Sequence, residues 1–198
     1  KILISGDEGQ KIFVLNELKK LAPESWKNKL NEIFRNESDN IRSEIISIAN
    51  SDNQILSDSI IIELVNSPND PLRSIGIIIA SQRQLKQIIP FVEKLINDTN
   101  PDLRASANTA LVILSEGDVQ IPNKRLNAML NESNITTQTA AVKAASYFTQ
   151  LLTFEQLKDY IQSNHIELQI LSSKIAADRQ IEDLLPFIIT NLDNTNIF

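Results

Sequence analysis

Four basic residues recur at a fixed interval: Lys11, Arg42, Arg73 and Arg104 follow one another at spacings of 31. Each arginine closes a polar turn and follows an aliphatic residue, in Asn36–Ser43 (NESDNIRS), Ser67–Ser74 (SPNDPLRS) and Asp98–Ala105 (DTNPDLRA). After a three-residue insertion the register continues to Gln138 and Gln169, where an amide replaces the guanidinium. A guanidinium is a planar fork of donors suited to carboxylate and phosphate. A ladder of such forks along one edge would bind an acidic peptide or phosphate groups. The same donors also suit turn carboxylates and carbonyls of an adjacent unit, where they would fix how units stack.

Little else in the chain is equipped for chemistry. The 198 residues contain no Cys and one His, which excludes disulfides, thiol chemistry, zinc knuckles and His-rich metal centres. The glycines at 6, 9, 76 and 117 are isolated, so no phosphate-cradling loop exists. His165 falls in a turn column otherwise dominated by Asn, where a solvated side chain is expected. Ser163 and Glu167 lie near it, but a nucleophile needs a base oriented by a third group. No catalytic, cofactor-binding or metal-binding residue is therefore expected, and the chain reads as a non-enzyme. With 19 basic against 25 acidic residues, a formal charge of −6 and a pI near 4.9, an extended nucleic-acid surface is not expected. The densest apolar stretch, Ile75–Ala80, is six residues long, far short of a membrane span. Asn-x-Ser/Thr occurs at Asn36, Asn131 and Asn134, but no secretory signal is visible to make these acceptors.

The elements that carry the ladder are legible from its register. Twelve and eight residues before each marker lie two aliphatic columns, Leu30, Ile61, Val92, Leu126, Leu157, Ile188 and Leu3, Phe34, Val65, Ile96, Leu130, Ile161, Leu192. Positions i and i+4 form one stripe of an α-helix. Seven after the marker come Leu18, Ala49, Ala80, Leu111, Ala145 and Ala176; three after it come Val14, Ile45, Gly76, Ala107, Ala141 and Ser172. Each unit is thus a bulky aliphatic A helix, a polar turn, and a B helix rich in small residues that permit close approach. The A helices are predicted near 24–36, 56–67, 86–97, 122–133, 153–163 and 181–193, the B helices near 8–20, 39–50, 70–82, 101–115, 136–149 and 166–178. The match between Gln87–Val92 and Asp183–Ile188 sets Pro90 and Pro186 96 residues apart, in agreement with this register. At 42% hydrophobic with 4 Gly, the composition suits an ordered helical array rather than a disordered tail or an all-β fold.

The turns have their own logic. Asn69, Asn100, Asn134 and Asn196 share one column, where side chains that bond their own backbone are favoured. Asp39, Asp70 and Asp102 lie just before the B helices and would cap them. Pro71 and Pro101 sit where a helix begins, and Pro90 marks either a bend or a late start.

Paired helices of about 31 residues, a Pro in helix A, an Asx-rich turn and a basic residue opening helix B resemble the HEAT repeat in its short bacterial form, over essentially the whole chain. The markers Gln138 and Gln169 depart from it by losing the Arg. The resemblance implies a single domain over 1–198, an all-α right-handed superhelix of about six helix pairs, cut within a unit at both ends. It also implies a binding scaffold for a protein or peptide rather than an enzyme, with Lys11, Arg42, Arg73 and Arg104 as an inter-repeat structural ladder. B helices on the concave side would present Ser47, Ile78, Thr109, Lys143 and Lys174, five residues after the marker, together with Tyr147. The expected location is the cytoplasm. The chain is also similar to the soluble helical repeats that some bacterial ADP/ATP carrier-like transporters append to their membrane helices. That likeness would place it at the cytoplasmic face of the inner membrane, with the transport residues outside this sequence. HEAT-like repeats also build DNA-base glycosylases and chromophore-attaching lyases; the acidic balance and 5% aromatics oppose the first, and no residue here distinguishes the second from a plain scaffold.

Overall fold

The structure is a computed structural model that describes residues 2–18, 20–21, 25–49, 55–115 and 120–194. The described residues are helical with no strand, and they divide into two compact units, Lys1–Leu95 and Ile96–Phe198. The first contains α1 (Ile2–Ser5), α2 (Glu8–Leu18), α3 (Lys27–Phe34), α4 (Asp39–Ala49), α5 (Asp58–Val65), α6 (Asp70–Gln82) and the short α7 (Ile89–Val92). The second contains α8 (Pro101–Leu114), α9 (Gln120–Leu130), α10 (Ile135–Ser146), α11 (Phe154–Ile161), α12 (Ile166–Asp178) and α13 (Leu185–Asn194). Every helix expected from the columns is present at its expected place, most of them trimmed by a turn or less.

In the first unit α3 packs on α4, α5 on α6, and α2 on α4. In the second, α9 packs on α10 and α11 on α12, while α10 lies beside both α8 and α12. The aliphatic columns supply the core: Leu30, Ile61, Val92, Leu126 and Leu157 are buried, as are Phe34, Val65, Leu130 and Ile161. The small-residue column after the marker is buried from Ile45 through Ser172. Gly76 shows why that column is small. A Cβ there would meet the Leu64 Cβ at 2.6 Å, so α5 and α6 approach at van der Waals limits.

Asn caps three of the B helices, whereas α2 is capped by Asp7, whose carboxylate accepts from the Gln10 amide at 2.8 Å. The side chains of Asn69, Asn100 and Asn134 accept from the amides of Leu72 (3.1 Å), Asp102 (2.9 Å) and Thr137 (3.0 Å). Asp39, Asp70 and Asp102 instead lie inside the first turn, where their charge meets the positive helix end. Asn takes the cap because its β-region backbone and short amide reach the free amides two or three residues on. His165 holds the equivalent position of α12 without a side-chain cap bond. Asn196 lies outside the described residues.

Pro90 marks a late start. Lys86–Ile88 is a 3₁₀ turn, and α7 begins at Ile89 with the proline in its first turn. Glu182–Leu184 repeats this turn before α13, with Pro186 in that helix's first turn. Both turns end the preceding helix in one way. Gln84 (φ 57°) and Gln180 (φ 54°) adopt left-handed geometry, and the amides of Leu85 and Ile181 bond back to Ala80 (2.9 Å) and Ala176 (3.0 Å). This is a Schellman ending, built here on glutamine rather than glycine.

Candidate functional site

Four of the six marker side chains reach back to carbonyls at the end of the preceding helix or in the turn that follows it. Arg42 donates to the carbonyls of Phe34 (3.1 Å) and Arg35 (2.6 Å), with its guanidinium 5.7 Å from the Phe34 ring. Arg104 donates to the Asp98 carbonyl (2.6 Å). The two amides do likewise, Gln138 to Leu130 (2.9 Å) and Gln169 to Ser163 (2.5 Å). Helix C-termini leave carbonyls without intrahelical partners, and these donors satisfy them. At two positions an uncharged amide makes the bond that a guanidinium makes at two others, so what these four share is a donor to a backbone carbonyl rather than a charge.

The column differs from the sequence expectation in where its acceptors lie. Most belong to the marker's own helix pair. Two side chains reach the next pair: Lys11 Nζ lies 2.8 Å from both Glu37 oxygens, and Arg104 donates to Thr137 Oγ1 at 3.1 Å. Arg73 pairs locally with Asp70 at 2.5 Å, while its Nε is buried without a partner.

Other polar bonds join successive helix pairs in the same stride. Within the first unit, Asn40 donates to Glu8 (2.8 Å) and Asn69 to Asp39 (2.9 Å). Within the second, the Tyr160 hydroxyl donates to Leu130 (3.0 Å) and Asn191 to Ile161 (2.5 Å). The Leu130 carbonyl therefore accepts from its own marker and from the next A helix. Burial, with the nearby Asp159 charge, pushes the Tyr160 phenol up to about 12. Between pH ~10 and ~12 the unfolded tyrosine loses its proton while the folded one keeps it, so stability falls as pH rises through that window. Tyr160→Phe is expected to cost about 1 kcal/mol at neutral pH and to flatten that alkaline loss, measured by urea unfolding at each pH.

The residues expected on the concave face are not one surface. Ser47, Lys143 and Lys174 are exposed, but Ile78 (2% exposed) and Thr109 (0%) are core. The helices α6 and α8 are buried nearly all round, along Gly76–Ser81 and Ala105–Leu111, and have no polar stripe to turn outward at this position. Lys143 lies 3.9 Å from Asp102. Tyr147 is half-buried and its phenol is raised by that burial; Phe148 is core.

Two arginines outside the ladder hold the opposite ends of the helix pairs. Arg83 donates to the Leu56 carbonyl (2.6 Å) and pairs with Asp58 (2.8 Å). Arg179 lies within 3.2–3.4 Å of the carbonyls of Ser146, Phe148, Thr149 and Leu152. The signal for them was present, because the repeat of Gln87–Val92 at Asp183–Ile188 extends backward to Arg83-Gln84 and Arg179-Gln180.

Two clefts lie beside these elements. One of about 150 Å³ is bounded by Arg42, Leu64 and Asn66 and by the Arg35–Glu63 pair, whose contacts run from 2.6 to 3.0 Å. The Arg35 hydrogen bonds hold Glu63 below the ordinary carboxylate range, so this fork is already occupied by an internal anion. The other, of about 130 Å³, is apolar and lies where α12 turns into α13. No group of three or more His, Cys, Asp or Glu that could hold a metal is present among the described residues, and no helix there is long and apolar enough to cross a membrane. Comparison with known families, curated proteins and solved structures gives no match.

Proposed function

We propose that the chain is a non-catalytic protein-binding scaffold, an α-solenoid of HEAT-like helix pairs. The observation that carries this reading is what the surface presents once the donors are spent. Marker donors at Arg42, Arg104, Gln138 and Gln169 are engaged with backbone carbonyls. Large apolar side chains stand outward instead, in i,i+4 pairs on consecutive helices: Ile166 and Ile170 on α12 (52% and 63% exposed), Leu185 and Ile189 on α13 (50% and 54%). Apolar surface of this kind is what a protein partner covers. The polar bonds that span about one repeat, such as Asn69 to Asp39 and Tyr160 to Leu130, support nearest-neighbour stacking of the pairs.

A photo-crosslinker at Ile170 is expected to give a discrete protein adduct in the native cell, lost in Ile166→Asp, while one at the exposed Lys124 gives none. The same adducts from both positions would reject the reading. The solenoid architecture is tested by small-angle scattering. A compact globule of 198 residues would have a radius of gyration of roughly 16 Å, and the stacked array is expected to exceed it clearly.

A further inference from the structure

The cleft of about 150 Å³ in the first unit lies at the junction of two successive helix pairs, α3–α4 and α5–α6, with α2 before them in the chain and α7 after. Its apolar walls are Phe34, Leu64 and Pro68, and its charged rim is Arg35, Arg42 and Glu63. The two arginines are not equivalent. Arg42 is tied to the carbonyls of Phe34 (3.1 Å) and Arg35 (2.6 Å), and its remaining contact, with Asp39, is long at 3.4 Å, so it adds a fixed charge to the cleft rather than a fork. Arg35 does offer a fork. Its Nε and Nη2 hold the Glu63 carboxylate at 2.6–3.0 Å, while Nη1 has no partner among the described residues. The Arg35 and Glu63 side chains are 49% and 51% exposed, and an ion pair this open to water is readily exchanged.

The repeat does not call for this pair. Seven residues before the later markers, in the place of Arg35, stand Asn66, Asn97, Asn131 and Gln162. Ten before them, in the place of Glu63, stand Lys94, Ala128 and Asp159. The later junctions therefore set Asn66 against Lys94, Asn97 against Ala128 and Asn131 against Asp159, with no cation facing a carboxylate. Stacking proceeds without such a bridge, and a local departure that the fold does not need marks a place where function is carried. What the departure creates is a carboxylate seat: one guanidinium fork, a second guanidinium fixed nearby, and apolar walls beside them. A cavity of about 150 Å³ accommodates a benzene ring, so those walls have room for one apolar side chain.

We propose that this cleft is a docking site for an acidic segment of a partner protein. A glutamate or aspartate of the partner takes the Arg35 fork, an adjacent apolar side chain lies against Phe34, Leu64 and Pro68, and Glu63 is the built-in competitor that the partner displaces. The proposal rests on the scaffold reading and adds the chemistry of the partner. It is tested by titrating a labelled peptide of alternating leucine and glutamate with the whole chain, followed by fluorescence anisotropy. Glu63→Gln removes the competing charge and keeps the shape, and is expected to tighten binding by about fivefold or more. Arg35→Gln is expected to abolish binding, and Glu93→Gln, the same loss of charge at another exposed position, to leave it unchanged. A peptide with glutamine in place of glutamate is expected not to bind. The chain's formal charge of −6 opposes the acidic peptide in general, so a preference for it reports local cations. Thermal melts of each variant separate loss of binding from loss of fold, and the glutamine peptide gives its answer on the unaltered chain. Binding that Glu63→Gln does not tighten, or that survives Arg35→Gln, overturns the proposal. So does inorganic phosphate that displaces the peptide at equal concentration, since the fork would then serve a free anion. Self-association, seen by sedimentation, that Arg35→Gln dissolves overturns it too, because the occupant would be a second copy. Should this cleft fail while the Ile170 crosslink persists, only the docking site is wrong; loss of both rejects the scaffold as well.

Discussion

Gly76→Ala is expected to destabilise the first unit by about 2 kcal/mol, read as a lower urea midpoint at unchanged slope. At an exposed helix position the same change would stabilise by about 1 kcal/mol, because glycine loses more backbone freedom on folding and is the poorer helix former. Here the new Cβ would sit 2.6 Å from the Leu64 Cβ, 2.9 Å from the Leu64 carbonyl carbon and 3.0 Å from the Val65 nitrogen. Two of those three atoms are backbone, so no rotamer change relieves the contact, and α5 or α6 must move as a body. Overpacking of this kind costs roughly 1–3 kcal/mol, and a clash with backbone belongs at or above the upper end. Subtracting the helix-propensity gain leaves the expected loss. A stabilised Gly76→Ala would show that the two helices separate freely, and would remove the close-approach explanation for the small residues in this column.

That column illustrates what could be read without coordinates. A residue type that recurs at a fixed interval because a neighbour leaves no room for it to be larger is visible in one sequence. The helix positions were legible for the same reason, since Leu30, Ile61, Leu126 and Leu157 repeat the same burial in register. What the register did not reveal is where a repeated position faces on helices that are buried all round. Ile78 and Thr109 share a column with Lys143 and Lys174, yet the first two are core and the last two are in solvent. Column membership fixes an angle around the helix axis, while exposure depends on what lies at that angle. The apolar run Ile75–Ala80 carried the warning, because a helix with no polar stripe has no face to offer water.

Polar residues that break a column are harder to anticipate. Asn108 stands where Leu15, Ile46, Ile77 and Val142 fill the equivalent place, and it is 1% exposed. Its amide donates to the carbonyls of Arg104 (2.8 Å) and Ile96 (3.1 Å), the second being a carbonyl in the turn that α8 follows. Nothing in the local pattern at Asn108 signals that partner, because the bond depends on how the preceding segment ends. The marker column is the converse case. The residue type suggested charge, and only the acceptors reveal that the chemistry is donation to helix-end carbonyls.

The second large effect follows from that distinction. Arg42→Ala is expected to lower stability by about 2 kcal/mol, and Arg73→Ala by less than about 1 kcal/mol. Removing Arg42 leaves the Phe34 and Arg35 carbonyls without the donors that now reach them at 3.1 and 2.6 Å, and strips the cation from the Phe34 ring. A hydrogen bond from a charged donor contributes roughly 1.5–3 kcal/mol, and the partial exposure of this side chain places the pair toward the low end. The Arg73 contact is different in kind: an i,i+3 ion pair with a partly exposed Asp70, of a type worth a few tenths of a kcal/mol. The replacement that separates donor from charge is Arg42→Gln, which recreates what Gln138 does at the Leu130 carbonyl. It is expected to retain more than half of the stability lost in Arg42→Ala, while Arg42→Met, matched in length but without a donor, is not. Were Arg42→Gln as damaging as Arg42→Met, the charge itself would be the requirement, and Arg42 would return to consideration as part of an anion-binding edge.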